Sequence, residues 1–297
     1  MLARVMALHP GIGAAVLDPL GPRDVPEVLS FLEDDPVLNV YLVALVLRDA
    51  LARPNDAWWG ARRHGRLTAL LYLGAHSGAV LPAGDDEDAL RALGVAVARE
   101  RARHAPRFQV IGPRAAVRAL RGGFPGPGAR LRLERDQVYM TLDRPPPGLQ
   151  PLPDLRAARR EDYAFLYHAG AELRAEELLE DPRQVDPVAY ARRVEEECRD
   201  GWTWVWRDVR GLCFRAGISA ITRTAAQVSG VYVPPALRNR GVARRALGEL
   251  CSRLLARTRH VCLFVNEFNA PALALYRRLG FRDRAEWASA FYVSAGA

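Results

Sequence analysis

Apolar positions along this 297-residue chain recur in two rhythms, one of about 3.6 residues and one of two, and the changes between them predict its elements. In the first half, helices are predicted over 26–33 and 38–51. Strands over 58–62 and 67–73 follow, joined through His64-Gly65. Asp85 or Asp86 suits the cap of a helix reaching about residue 103, in which Leu90 and Leu93 share a face. A strand over 108–111, a helix over 113–120, a loop over 122–128 and a strand over 137–142 complete this half. The second half repeats the order. Helices are predicted over 160–169 and 187–198, then strands over 203–207 and 212–216, then a strand over 228–233. The helix over 241–257 carries the clearest stripe, Val242, Ala246, Leu247, Leu250 and Leu254. A strand over 261–265, a helix over 271–279 stopped by Gly280, and a last strand over 288–293 end the chain.

The halves share an order of elements and not a sequence. Between them lies Arg144-Pro145-Pro146-Pro147-Gly148, with Pro151 and Pro153 beyond. Proline fixes its own φ, lacks an N–H and disfavours helix in the residue before it, so this reads as a stiff connector. The expected division is 1–144, a linker over 145–153, and 154–297.

Composition narrows the class. At 49% hydrophobic and 26% charged residues the chain is of ordinary globular type, long enough for two cores. Its longest apolar run, 40–47, falls far short of the ~20 residues that cross a bilayer. The first twenty residues lack a sustained apolar core and a small-residue cleavage site, so no secretory leader is expected. Cys198, Cys213, Cys251 and Cys262 form no CxxC pair. Neither a zinc framework nor a disulfide lattice is expected, and a reducing cytoplasm fits.

The formal charge of +8 comes with no lysine at all, every one of the 42 basic residues being arginine. These arginines are interleaved with acids throughout, as a GC-rich codon supply would produce. No aromatic-basic signature accompanies them, so nucleic acid is not an expected partner. Gly11-Ile12-Gly13 has no strand before it and no full dinucleotide fingerprint. Trp202, Trp204 and Trp206 alternate on one face of a strand, where core packing is expected. His168 reads as a structural residue.

The chemistry concentrates in Val231-Tyr232-Val233-Pro234-Pro235-Ala236-Leu237-Arg238-Asn239-Arg240-Gly241-Val242-Ala243-Arg244. A strand ends in a double proline, a short loop carries two arginines, and a helix opens at glycine. The first turn of a helix has unpaired N–H groups and the positive end of the macrodipole, so it binds phosphate if no side chain is in the way. Gly241 and the small Ala243 leave that approach open, and Arg238, Arg240 and Arg244 can add charge-assisted contacts. A plain strand-loop-helix connection with solvated arginines is the alternative. Further on, Asn269 suits a helix N-cap, Pro271 the first turn and Gly280 the stop, with Tyr276 two turns in.

Together these blocks resemble the GNAT N-acetyltransferase superfamily. Arg238-x-x-Gly241-x-Ala243 matches its phosphate loop, and Asn269-x-x-Ala272-x-x-Leu275-Tyr276-x-x-x-Gly280-Phe281 its later motif, over roughly 150–297. The resemblance implies an α/β fold of tandem GNAT-like lobes, each a twisted mixed sheet flanked by helices, the first lobe degenerate. It also implies acetyl-CoA as co-substrate, no metal, and an amine-bearing acceptor. Pantetheine would lie where two strands splay, pairing with the backbone of Val231 and Val233 beside Tyr232. The pyrophosphate would rest on amides from Asn239 to Arg244. The amine would attack the thioester directly, through an oxyanion held by a backbone N–H.

Tyr276 would serve the departing sulfur. A phenol near pKa 10 and a thiol near 8.5 leave full proton transfer uphill by about 2 kcal/mol, so hydrogen bonding is the safer description; a core aromatic is the alternative. Asn269 reads equally as a cap or a pantetheine contact. The strand positions where a general base would stand hold Gln227, Ser229 and Phe264, none of which is a base. Glu172, Glu176 and Glu177, in the loop expected after the first helix, and Glu267 are the remaining candidates. Glu176 or Glu177 is named for the role, with a place on a surface helix as the alternative, and water-mediated proton loss or an acceptor already neutral would need no side chain. An acyl-CoA-binding regulatory module without catalysis is the rival function. The first half offers Leu81-Pro82-Ala83-Gly84-Asp85-Asp86-Glu87 at the phosphate-loop position, and its three acids would repel a diphosphate.

Overall fold

In the computed structural model, which describes residues 15–104, 107–124 and 129–294, the chain resolves into two units that are not continuous in sequence. The first comprises Met1–Tyr139, Val265–Phe268 and Arg284–Ala297; the second comprises Met140–Phe264 and Asn269–Asp283. Gly11-Ile12-Gly13 lies outside the described residues.

The first unit is built on a mixed sheet whose strands are β1 (Val16–Leu20), β2 (Ala57–Arg63), β3 (Arg66–Leu73), β4 (Ala79–Gly84), β5 (Arg107–Pro113), β6 (Ala129–Leu142) and β12 (Arg282–Ser294). Their order is β1-β2-β3-β4-β5-β12-β6, with β4 and β5 parallel. The two-residue connection His64-Gly65 joins β2 and β3 with both φ positive, 49° and 78°, the geometry that matches the twist of a tight hairpin. Alternation along β3 feeds two cores. Ala69, Leu71 and Leu73 face α3 (Glu87–His104) and α4 (Arg114–Gly122), where Leu90, Leu93, Val117 and Leu120 are fully buried. Leu70 and Tyr72 face α1 (Val25–Leu32) and α2 (Val40–Asp49) through Val28, Leu32, Val43 and Val46. A sheet covered by helices on both faces follows from that period-two pattern.

The second unit orders its strands β11 (His260–Asn266), β10 (Ala225–Tyr232), β9 (Gly211–Ile221), β8 (Thr203–Asp208) and β7 (Arg156–Ala157), antiparallel except for β10 with β11. The helices α5 (Tyr163–Leu178), the single-turn α6 (Pro182–Val185) and α7 (Pro187–Asp200) precede the β8–β9 hairpin. Leu166, Ala171, Tyr190 and Val194 pack with Val205 in one cluster of this unit. The helix α8 (Val242–Leu255) buries Ala246, Leu247, Leu250 and Leu254, the stripe expected of it, while Val242 stays half-buried. The helix α9 (Ala270–Arg278) completes the set.

Four features depart from the sequence reading. The strand β1 carries too few apolar positions to be seen alone. Residues 81–84, read as loop, belong to β4. The helix α5 continues to Leu178, since no breaker occurs before Asp181-Pro182, so Glu172 stands on a helix and not in a loop, and Glu176 and Glu177 on a helix as their alternative had it. Finally, β12 pairs with β5 along seven residues, from Trp287 with Pro113 to Val293 with Arg107, so its contacts place residues 284–294 with the first unit.

Before α5, the fully buried Asp162 holds the strand-to-helix corner. Its carboxylate accepts from Arg156 Nη1 (2.7 Å), Arg207 Nη1 (2.9 Å) and the Arg159 N–H (2.8 Å). Burial alone would raise its pKa, but the Arg156 and Arg159 bonds, with Arg207, outweigh it and leave the carboxyl below its ordinary value. Asp162→Asn is expected to cost about 3 kcal/mol in urea unfolding. The contribution of this carboxylate is present above the ordinary aspartate pKa of about 3.9 and lost as pH falls through the lower folded value, so the variant should lack that part of the acid dependence.

Candidate functional site

The parallel strands β10 and β11 are paired at only three positions, Ala225 with His260, Ala226 with Val261 and Gln227 with Cys262. Beyond them, β10 carries two register shifts against β9, at Gln227/Val228 and between Ser229 and Tyr232. Gly230 sits inside the second with φ +58°, a left-handed conformation that glycine adopts at no steric cost. The bulge turns the strand, and Val231, Tyr232 and Val233 run on without a β11 partner.

The loop that follows folds back on itself. Asn239 (φ 61°) and Gly241 (φ 76°) are both left-handed, and Gly241 is the N-cap of α8 with no side chain to satisfy the amides of the first turn. A Cβ on Gly241 would meet nothing within 4 Å. Arg238, expected to add a charge-assisted contact to a phosphate, is engaged within the protein. Its Nε donates to the Val233 carbonyl (3.0 Å), its Nη2 donates to both oxygens of Glu176 (2.8 and 3.0 Å), and it lies over the Tyr232 ring at 5.6 Å. This arginine first fixes the loop to the strand. Arg240 and Arg244 are exposed and form no ion pair among the described residues. Gly241 and Arg244 line a cleft of about 260 Å³ together with Arg245, Gly148, Leu149 and Gln150. Half-buried Val242 and Ala243 open the helix. Bare amides at the positive end of a helix and two unengaged arginines, with a cleft reaching Gly241 and Arg244, form an arrangement suited to a phosphate group.

Tyr276 on α9 is 7% exposed, in ring contact with Phe281 (5.8 Å). Burial pushes its phenol above the ordinary value, and the nearby Glu177 charge and Cys251 push it the same way. Asn269 caps α9, its Oδ1 accepting from the Ala272 N–H (3.2 Å). The amide nitrogen takes no part in that bond. The carboxylates on α5 are divided: Glu172 accepts from the Tyr232 hydroxyl, Glu176 is tied to Arg238, and Glu177 is close enough to act on Tyr276. Glu267 groups with the first unit, where it is paired with Arg114. Gln227 is buried and holds the Ser219 hydroxyl through Oε1 (3.0 Å).

The Glu172–Tyr232 bond was not foreseen. Extending α5 by two turns puts Glu172 and Glu176 four residues apart on one helical face, which is the sequence signal that could have found it. Trp204 and Trp206 carry the guanidinia of Arg253 and Arg245 over their rings, each at 5.5 Å, in place of simple core packing.

The corresponding place in the first unit is built differently. The parallel strands β4 and β5 pair at Ala79 with Gln109 and at Val80 with Val110. Further along, a Cβ on Gly112 would meet the Pro82 carbonyl at 3.2 Å, so the backbones stay close. Asp86 occupies the N-terminus of α3, accepting from the Ala89 N–H (3.1 Å), from Thr68 (3.0 Å) and from Arg63. The Arg63 bond, with the Ala89 and Thr68 bonds, holds its carboxyl down to about 2 against the opposing effect of burial. A fixed anion already sits where a phosphate would go.

Against this geometry, comparisons with known proteins are informative. A family model described as FR47-like protein matches residues 214–291, and one described as Domain of unknown function (DUF4081) matches 57–166. No curated protein sequence matches the chain. Among solved structures, it is similar to a GNAT-family protein from Novosphingobium aromaticivorans, with 21% identity, 93% of this chain and 100% of that one covered, and a TM-score of 0.53. It is similar to a tandem GNAT protein from the clavulanic acid biosynthesis pathway (18% identity, 93% and 98% covered, TM-score 0.57). A GCN5-related N-acetyltransferase from Sphaerobacter thermophilus aligns likewise (18%, 95% and 97%, TM-score 0.58). The chain therefore has the GNAT fold, and it has it in two lobes.

The buried phenols can be checked directly. In a phenolate absorbance titration, Tyr276 and Tyr232 are expected to ionise above the ordinary tyrosine value of about 10. Tyr276→Phe should remove amplitude only from the high-pH part of the curve.

Proposed function

We propose that this protein is an N-acetyltransferase whose second unit takes acetyl-CoA as donor and an amine as acceptor. The observation that carries this reading is the parting of β10 from β11 after three pairs, directly followed by the open amides at Gly241. The residues present fit the donor. The unpaired edge of β10 at Val231 offers backbone groups to an amide-bearing arm, while the carbonyl of Val233 is already shared with Arg238. The first turn of α8, from Gly241 to Arg244, with Asn239 and Arg240 before it, would hold the diphosphate. The thioester supplies an activated acetyl group.

The chain's own groups then act on protons and charge. The amine nitrogen forms its bond to the acetyl carbon as the carbon–sulfur bond breaks, and a backbone N–H on β10 steadies the oxygen that gains charge. Tyr276 donates a hydrogen bond to the departing sulfur. Because burial raises its phenol further from the thiol range, it stabilises the thiolate and does not surrender its proton. The ammonium proton leaves through the α5 carboxylates. Glu177, whose charge reaches Tyr276, is assigned this role, directly or through water.

Thiol release from acetyl-CoA over a panel of amines tests the reaction, and binding without any release would favour the regulatory module instead. Tyr276→Phe is expected to lower kcat about ten- to a hundredfold with the acetyl-CoA Kd changed less than about twofold. Gly241→Val puts its Cβ where nothing lies within 4 Å and its side chain before the first-turn amides, at the cost of a φ of +76° that a β-branched residue rarely adopts. It is expected to leave the fold within about 1–2 kcal/mol of the parent while weakening acetyl-CoA binding about tenfold or more, measured by isothermal titration. An unchanged affinity would remove the loop from the donor site.

A further inference from the structure

Where α5, α7 and β9 meet, the guanidinia of Arg174, Arg193 and Arg215 gather about one carboxylate, that of Glu197. Arg215 on β9 is only 6% exposed, and its Nη2 donates to Glu197 of α7 (2.9 Å). Its Nε is enclosed with no acceptor among the described residues. Glu197 also serves Arg193, one turn earlier, at 3.6 Å. Arg174 on α5 lies within the field of Arg193, Glu197 and Arg215 and makes no ion pair among the described residues. Three guanidinia thus share one carboxylate. Asp162, whose charge reaches the same region at Cys198, is committed to Arg156 and Arg207. Tyr190 donates its hydroxyl to the Tyr167 carbonyl (2.6 Å) and offers no negative charge, burial having pushed its phenol up to about 12. The strain shows on Arg174, which burial first, and then Arg193, bring down to about 10.

Two glycines make room for this cluster. A Cβ on Gly170 would meet Arg215 Nη1 at 2.8 Å and the Tyr190 hydroxyl at 2.7 Å. A Cβ on Gly230 would come within 3.7 Å of Arg215 Nη2. Gly230 is the bulge residue next to Val231, so the buried guanidinium lies under the point where the proposed donor arm ends. A buried charge with an unmet N–H is costly to keep unless something binds it, and the largely exposed Arg193 gives the cluster an approach from solvent.

We infer that Arg215, with Arg174 and Arg193, binds a carboxylate carried by the acceptor, which makes the acceptor class an amine with a carboxylate close to its nitrogen, such as an amino acid. A planar carboxylate matches the guanidinium fork two atoms on two. That the carboxylate belongs to an acceptor rests on the transferase reading; that an anion binds at Arg215 does not. Glu197 is then an internal competitor for the same donors.

The test uses the full chain, with L-amino acids, their carboxamides and inorganic phosphate as probes, followed by isothermal titration and thermal shift. Amino acids are expected to bind saturably and raise Tm, and the carboxamides to do neither. Arg174→Gln, which breaks no ion pair, should weaken amino-acid binding about tenfold or more, and Arg215→Gln likewise where it folds. Glu197→Gln should tighten it. Equal binding of acids and carboxamides, an Arg174→Gln variant with unaltered affinity, or phosphate binding in place of amino acids would each overturn the assignment. Amino-acid binding without thiol release from acetyl-CoA would strike the transferase reading and leave this site standing. Thiol release that is indifferent to the carboxylate would strike this site alone.

Discussion

The separation of β10 from β11 sets the terms for everything around it. Parallel strands normally continue their ladder, and each unpaired N–H or C=O left in a protein interior is costly. Here the ladder stops after Gln227, the bulge at Gly230 turns β10 away, and the backbone groups so freed along its edge are left to partners other than β11. The neighbouring parts are arranged to keep that edge in place. Arg238 fastens the Val233 carbonyl and Glu176 of α5, and Tyr232 fastens Glu172 one turn earlier on the same helix. The exposed Arg238–Glu176 ion pair adds little to stability. Together these contacts fix direction, so that the turn at Gly241 starts from a defined place.

The two lobes show what the same sequence of elements does under different local chemistry. In the second, a glycine without neighbours stands at the helix entrance; in the first, Asp86 supplies its own negative charge there and Pro82 closes against Gly112. Neither difference alters the fold. Both alter what the helix N-terminus can accept, because a helix dipole satisfied from within has nothing left to offer a ligand.

How much of this was legible in the sequence varies with the physics involved. The α8 stripe, the Asn269 cap and the His64-Gly65 turn are encoded within a few residues, and the structure has all three. The extent of α5 was not, because weak capping around residue 170 resembles an ending and only the absence of a breaker argues otherwise. The partners of Arg238, Arg215 and Glu267 were beyond reach for a different reason. They depend on contacts between elements far apart in sequence, 62 residues for Arg238 with Glu176 and 153 for Arg114 with Glu267, and no local spacing reports them. Motifs mark the candidate loop; long-range pairing decides which of its side chains are available.

The placement of β12 between β5 and β6 has a consequence for how the molecule is made. A ribosome delivers residues 284–294 only after Met140–Phe264 of the second unit, yet they form an interior strand of the sheet to which β1 belongs. Until they arrive, β5 and β6 each present a bare edge, and a fragment cut at the proline-rich segment would keep both edges for good. Maturation of the front lobe is therefore tied to synthesis of the second unit, and separate production of either half is expected to yield sticky, partly formed material rather than a domain.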